Sequence, residues 1–123
     1  MGKKTEDHFG KLVGIQVIDV KDGYAKVSLK ITKDHINFTG VTHGGAIFTL
    51  ADCAFAEAAN FGEKEAVAIQ ADINFLKTSV EGDVLTAEAV RISESRRFSL
   101  YRVTVYRNDE LIAFFSGRVY RKS

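Results

Sequence analysis

Two features that could do chemistry lie on one stretch of this chain. One is a glycine pair behind a histidine, His43-Gly44-Gly45; the other is a single carboxylate, Asp52, eight residues after the first glycine. Residues 43–60 read as one helix, apolar on nearly every face, with Asp52 at its middle. A helix that is apolar all round is normally buried all round. Aspartate is a poor helix former, and an unpaired buried carboxylate is costly. Asp52 therefore needs either a hidden partner, such as an Arg or Lys across an interface, or a chemical task. At the helix start, Gly44 and Gly45 leave backbone N–H groups open where the helix dipole favours negative charge. Together these point to acyl transfer. Backbone N–H groups stabilise a developing oxyanion, while the carboxylate attacks the carbonyl or draws a proton from a water that does.

The spacing carries a further condition. Eight residues at 1.5 Å rise separate Gly44 from Asp52 by roughly 12 Å along one helix. Reacting atoms must approach to about 3–3.5 Å, so one carbonyl cannot touch both residues of the same helix. Two antiparallel copies would bring Gly44 of one chain near Asp52 of the other. Burial asks for the same thing. One sheet covers one side of the helix, and the side near Thr49, Asp52, Ala56 and Ala59 needs another cover. A second copy is the economical one, with a loop of the same chain as the alternative, so at least a dimer is expected.

The elements that must position these residues follow from periodicity and turn signals. Thr5 to Phe9 reads as a short helix closed by Gly10, and Leu12 to Val20 as a strand. After the Asp22-Gly23 turn, Ala25, Val27, Leu29 and Ile31 alternate with Lys26, Ser28 and Lys30, a strand with one wet face. A polar loop over 32–42 leads into the long helix, which Gly62-Glu63-Lys64-Glu65 closes. Four strands follow. In the first, Val67, Ile69, Ala71, Ile73 and Phe75 share a face opposite Gln70, Asp72 and Asn74; the others run Val84 to Ile92, Phe98 to Tyr106 and Leu111 to Tyr120. Short turns imply an antiparallel meander, which can curl around one central helix. The reading is therefore α+β, a single domain over 1–123 with about six strands around one helix.

Composition narrows the function classes. The net charge of +1 gives no support to a nucleic-acid partner. The apolar helix is shorter than the roughly 20 apolar residues a membrane span takes, and it carries Asp52 and Glu57. No apolar run follows the lysines of 1–7, so the segment does not read as a signal peptide; with a lone Cys53 this suggests a reducing, cytoplasmic setting. Cys53 with His8, His35 and His43 lacks the compact spacing of a metal site, so neither metal nor cofactor is expected. Charge is uneven, however. Residues 89–123 hold 8 basic and 3 acidic side chains, while the rest of the chain is net negative. That excess suits either a solvated strand face or a phosphorylated ligand.

With these residues in place, the chain resembles the hot-dog fold, and in particular the acyl-CoA thioesterases of the PaaI-like, phenylacetate-degradation group. The resemblance runs from about Phe9 to Lys122. It rests on His43-Gly44-Gly45 followed by Leu50-Ala51-Asp52, on Asn37 six residues before His43, and on Gly82-Asp83. It implies that Asp52 serves as nucleophile or general base and that the Gly44 N–H polarises the thioester carbonyl across a dimer interface. His43 and Asn37 would support them, and Gly45 would help to bind the substrate. The family carries a polar residue, often Ser or Thr, on the strand after the helix, and Gln70 stands at that position here. An acyl-CoA substrate also gives the basic excess a reading, with Arg96 and Arg97 at a turn and Lys77 after a strand meeting the nucleotide phosphates. A homodimer or a tetramer of two dimers is implied. The alternatives are a hot-dog hydratase or dehydratase, disfavoured by the absence of proline, and a non-catalytic acyl-CoA-binding module, disfavoured by retention of Asp52.

Overall fold

The computed structural model describes residues 5–122; the first four residues of the N-terminal segment discussed above, and Ser123, lie outside them. The chain forms α1 (His8–Val13), β1 (Gln16–Lys21), β2 (Tyr24–Lys30), a 3-10 turn (Lys33–His35), α2 (Gly44–Ala59), β3 (Ala66–Phe75), β4 (Val84–Glu94), β5 (Phe98–Arg107) and β6 (Glu110–Arg121). The strands make one antiparallel sheet in the order β1-β2-β4-β5-β6-β3, curled around α2. This is the hot-dog arrangement expected from the sequence.

The sheet bends around the helix because its inner face mixes large and small side chains. Val27, Leu29, Leu85, Val103, Val105 and Phe115 pack against Leu50, Ala54 and Phe55, while Ala25, Ala87 and Ala89 let the strands close in. Gly117 makes room for the Phe55 ring, since a Cβ there would lie 2.6 Å from its Cζ. Truncating Phe55 would open a cavity in this core, a change that costs about 3–5 kcal/mol.

Three local expectations are corrected. The first helix begins at His8, not Thr5, because the Asp7 carboxylate accepts the Gly10 N–H and caps it; Gly14, at φ 104°, ends it. Gly10 therefore lies inside the helix, and β1 starts at Gln16 because Leu12 and Val13 are helical. The strands after α2 do not form one continuous meander. That pattern holds for β4-β5-β6, but β3 pairs with β6 at the far edge. The connection over 76–83 carries the chain back across the end of the sheet, bonding Ile112 at one side and Ile31 at the other. Finally, the single apolar face assigned to β3 is broken by a bulge. The register slips between Ala68 and Gln70, leaving Ile69 unpaired. Ala71 and Ile73 then face the helix beside Gly117 and Phe115, while Val67 turns outward opposite Tyr120.

Candidate active site

The start of α2 shows why two glycines follow the histidine. His43 is the N-cap, and its Nδ1 accepts the Gly45 N–H at 2.7 Å. The next N–H groups, of Ala46 and Ile47, turn back to the His43 carbonyl, and the His43 N–H donates to the His35 carbonyl at 2.7 Å. One donor of the first turn remains open among the described residues: the Gly44 N–H. Each glycine answers to a different neighbour. A Cβ on Gly45 would sit 2.9 Å from His43 Nδ1, and one on Gly44 would meet the Phe75 ring at 3.2 Å. His43 thus shapes the helix start, and its Nδ1 is occupied as a cap acceptor.

Asn37 shapes the loop that delivers this turn. Its Oδ1 accepts from the Thr39 N–H at 2.9 Å, the Thr39 hydroxyl at 2.8 Å and the Val41 N–H at 3.3 Å. A bridge between Ile36 and Thr42 and a buried hydrogen bond from Ser79 to Thr42 (2.5 Å) fix the loop's base. The carboxamide oxygen is spent on this.

Asp52 lies two turns on, half-buried, on the side of α2 that the sheet leaves uncovered together with Thr49 and Ala56. Ala59, expected on that open side, is buried. No cation of the described chain pairs with Asp52. Burial first, and then the negative charge of Asp7, hold its carboxyl above the usual carboxylate range. A carboxylate so placed is a stronger base near neutral pH. Asp7 was not legible as a site neighbour. It comes close because, while capping α1, it also accepts the Cys53 thiol at 3.1 Å. Burial pushes the Cys53 thiol up and keeps it neutral. The cue available in the sequence is the acidic cap itself, Asp7 three residues before Gly10.

The remaining candidates are dispersed. The register sets Gln70 opposite Arg118 on the outer face, with its amide donating to Asp72 at 3.2 Å. The sheet therefore separates it from α2 within one protomer, because Gln70 alternates with Ala71, which faces the helix. Lys77 lies just past β3, near the helix start, in an ion pair with Glu110 at 2.7 Å. Arg96 and Arg97 sit in the β4–β5 turn, at the end of the sheet where β3 begins and α2 finishes. Within one protomer the basic groups thus occupy opposite ends of α2. Of the phenylalanines considered for a pocket, Phe55 is in the core and Phe48 packs edge-on against Phe115; Phe75 covers Gly44, Phe61 is partly exposed, and Phe38 is fully exposed.

The chain is similar to several known proteins. A model of the thioesterase superfamily matches residues 39–113. A putative esterase of Archaeoglobus fulgidus is 40% identical over 116 residues, covering 94% of this chain and 75% of that protein. The acyl-coenzyme A thioesterase PaaI of Escherichia coli is 34% identical over 94% of this chain and 83% of its own length. The crystal structure of the TT0310 protein of Thermus thermophilus superposes with a TM-score of 0.91 at 36% identity, covering 95% of this chain and 99% of that one.

Proposed function

From the premise that this chain belongs to the thioesterase superfamily, we propose that it hydrolyses acyl-CoA thioesters at a site shared by two antiparallel copies. The observation that carries this reading is the pairing of two unpartnered groups on one helix. The open Gly44 N–H and the uncompensated Asp52 lie roughly 12 Å apart. Only groups from different copies can reach one carbonyl carbon. The likeness to an acyl-coenzyme A thioesterase supports the substrate class.

In the proposed reaction the thioester oxygen accepts the Gly44 N–H of one protomer. Asp52 of the other takes a proton from a water that attacks the carbonyl carbon, or attacks it directly. Negative charge gathers on the oxygen, where the N–H and the helix start stabilise it. Collapse breaks the carbon–sulfur bond, and the coenzyme A thiolate leaves and takes up a proton; on the direct route the acyl–Asp52 anhydride so formed is then cleaved by water, which releases the free acid and restores the carboxylate. Antiparallel pairing also changes the meaning of the dispersed cations. The far end of one helix overhangs the start of the other, so Arg96 and Arg97 of one protomer and Lys77 of its partner flank the same site. These would meet the nucleotide phosphates.

A panel of acyl-CoA thioesters, from acetyl through phenylacetyl to long-chain, tests the reading by release of free thiol. Turnover of any of them is the expected result. A hydratase would consume an unsaturated acyl-CoA without releasing thiol, and a binding module would retain acyl-CoA with no turnover.

A further inference from the structure

His35 takes no part in the chemistry proposed above, yet every hydrogen-bonding group it owns is engaged. It is half-buried at the end of the 3-10 turn. Its backbone N–H donates to the Thr32 carbonyl at 3.0 Å, and its carbonyl accepts the His43 N–H at 2.7 Å. In the ring, Nδ1 accepts the Thr32 N–H at 2.9 Å, and Nε2 lies 2.7 Å from the Val13 carbonyl. A backbone N–H only donates and a carbonyl only accepts, so the ring proton sits on Nε2 and the lone pair on Nδ1. Val13 is the last residue of α1, where a helix carbonyl has no partner within the helix. One side chain therefore ties the end of α1 to the turn that leads into α2.

We infer that His35 is a positioning residue for the proposed reaction, which, anchored at both ring nitrogens, holds the His43 amide and so aims the Gly44 N–H. The inference rests on the role proposed for Gly44 and deepens it. The Gly44 N–H makes no bond of its own among the described residues, and a glycine has no side chain to restrain it. What fixes its direction is bonding on either side. The His43 N–H before it is held by the His35 carbonyl, and the Gly45 N–H after it is held by His43 Nδ1. Because each peptide unit is planar, the amide between these two points is left little rotation. The loop's other side-chain supports stop short of the His43 amide: Asn37 bonds Thr39 and Val41, and Ser79 bonds Thr42. The link to α1 has a second consequence. The N-cap of that helix, Asp7, accepts the thiol of Cys53, the neighbour of Asp52, so His35 joins the start of α2 to the element docked beside its carboxylate.

The test is a double-mutant cycle on kcat, run with the best substrate of the panel above and with enzyme in excess, so that slow turnover stands clear of hydrolysis in buffer. His35→Phe keeps a flat ring and removes both nitrogens; the Thr32 N–H, on an exposed residue, turns to water. Because Asn37 and Ser79 still hold the loop, kcat should fall about tenfold, less than the roughly 10²-fold that a misplacement of about 1 Å can cost, with KM within about twofold. His35→Gln puts an N–H donor back within reach of the Val13 carbonyl and should lie between His35→Phe and the wild type. Gly44→Pro deletes the N–H that His35 aims. In that background His35→Phe should cost less than about twofold, because residues that act through one group do not contribute additively. A purely structural role would lower kcat by the same factor in both backgrounds, in step with the folded fraction read by circular dichroism. That result overturns the inference, as does a wild-type kcat in His35→Phe. Should His35→Phe fail to fold, His35→Gln carries the same cycle. A Gly44→Pro enzyme as fast as the wild type would remove the amide that His35 serves and sink the inference, while the hydrolysis stands. A wild type that hydrolyses no thioester of the panel contradicts the proposed function itself, and this inference with it.

Discussion

Replacing Gly44 by proline removes one atom from the proposed chemistry, the amide hydrogen, and the structure shows why the fold tolerates it. Gly44 is the first residue of α2, the helix position where proline is accommodated. The preceding His43 already has φ −62° and ψ 134°, the extended conformation that a following proline demands. The deleted N–H has no partner among the described residues, so no internal hydrogen bond is lost. The added Cβ meets the end of the Phe75 ring at 3.2 Å, and that ring is half exposed and free to give by a few tenths of an ångström. Gly44→Ala brings the same Cβ and keeps the N–H, which makes it the control. Loss of a single oxyanion donor costs roughly 10²–10³ in kcat, about 2.7–4 kcal/mol. We expect Gly44→Pro to show that loss at saturating acyl-CoA, followed by thiol release, while Gly44→Ala stays close to the wild type and both melt near it. If Gly44→Pro turned over as fast as Gly44→Ala, the N–H would not be the donor. If both fell alike, the Cβ and not the amide would be responsible.

Two further predictions concern charge. Asp52→Asn should reduce turnover by roughly 10²–10⁴-fold, as for loss of a positioned base, and should raise the thermal midpoint at neutral pH. Because burial and Asp7 lift the Asp52 carboxyl above its ordinary range, the folded protein binds that proton more tightly than the unfolded chain does. Stability tied to this group is present below the unfolded value and is lost as pH rises through the folded one; the variant's advantage should therefore vanish in acid, and midpoints scanned against pH check it. At the basic turn, Arg96→Ala and Arg97→Ala should raise KM modestly for an acyl-CoA but not for a short thioester lacking the nucleotide, with a difference that shrinks in salt. Equal effects on both substrates would leave the basic excess a solvated face.

The long helix, its flanking strands and the position of Asp52 could be read from sequence because they rest on sustained apolar patterning and on one polar residue that breaks it. The Ile69 bulge could not. Alternation continues smoothly through Val67, Ile69 and Ala71, and only pairing with β6 reveals the extra residue that turns Val67 outward. The crossing of β3 to the far edge was hidden for a related reason. The connection over 76–83 has no strong signal of its own, and what directs it is its bonding to Ile112, Ile31 and Thr42. The roles proposed for Gly44 and Asp52 come from spacing and helix-end physics. The nearness of Asp7 was not, since it depends on how a six-residue helix docks against Cys53.

The central claim is that two copies complete each other's site, and a heterodimer of Gly44→Pro with Asp52→Asn tests it most directly. Each homodimer lacks one part at both sites and should be nearly inactive. The purified heterodimer has one interface in which the intact Gly44 of the Asp52→Asn chain meets the intact Asp52 of the Gly44→Pro chain. It should recover about half the wild-type turnover per dimer, one of its two sites being whole. A verified heterodimer as inactive as its parents would contradict the shared site and return the chemistry to a single chain.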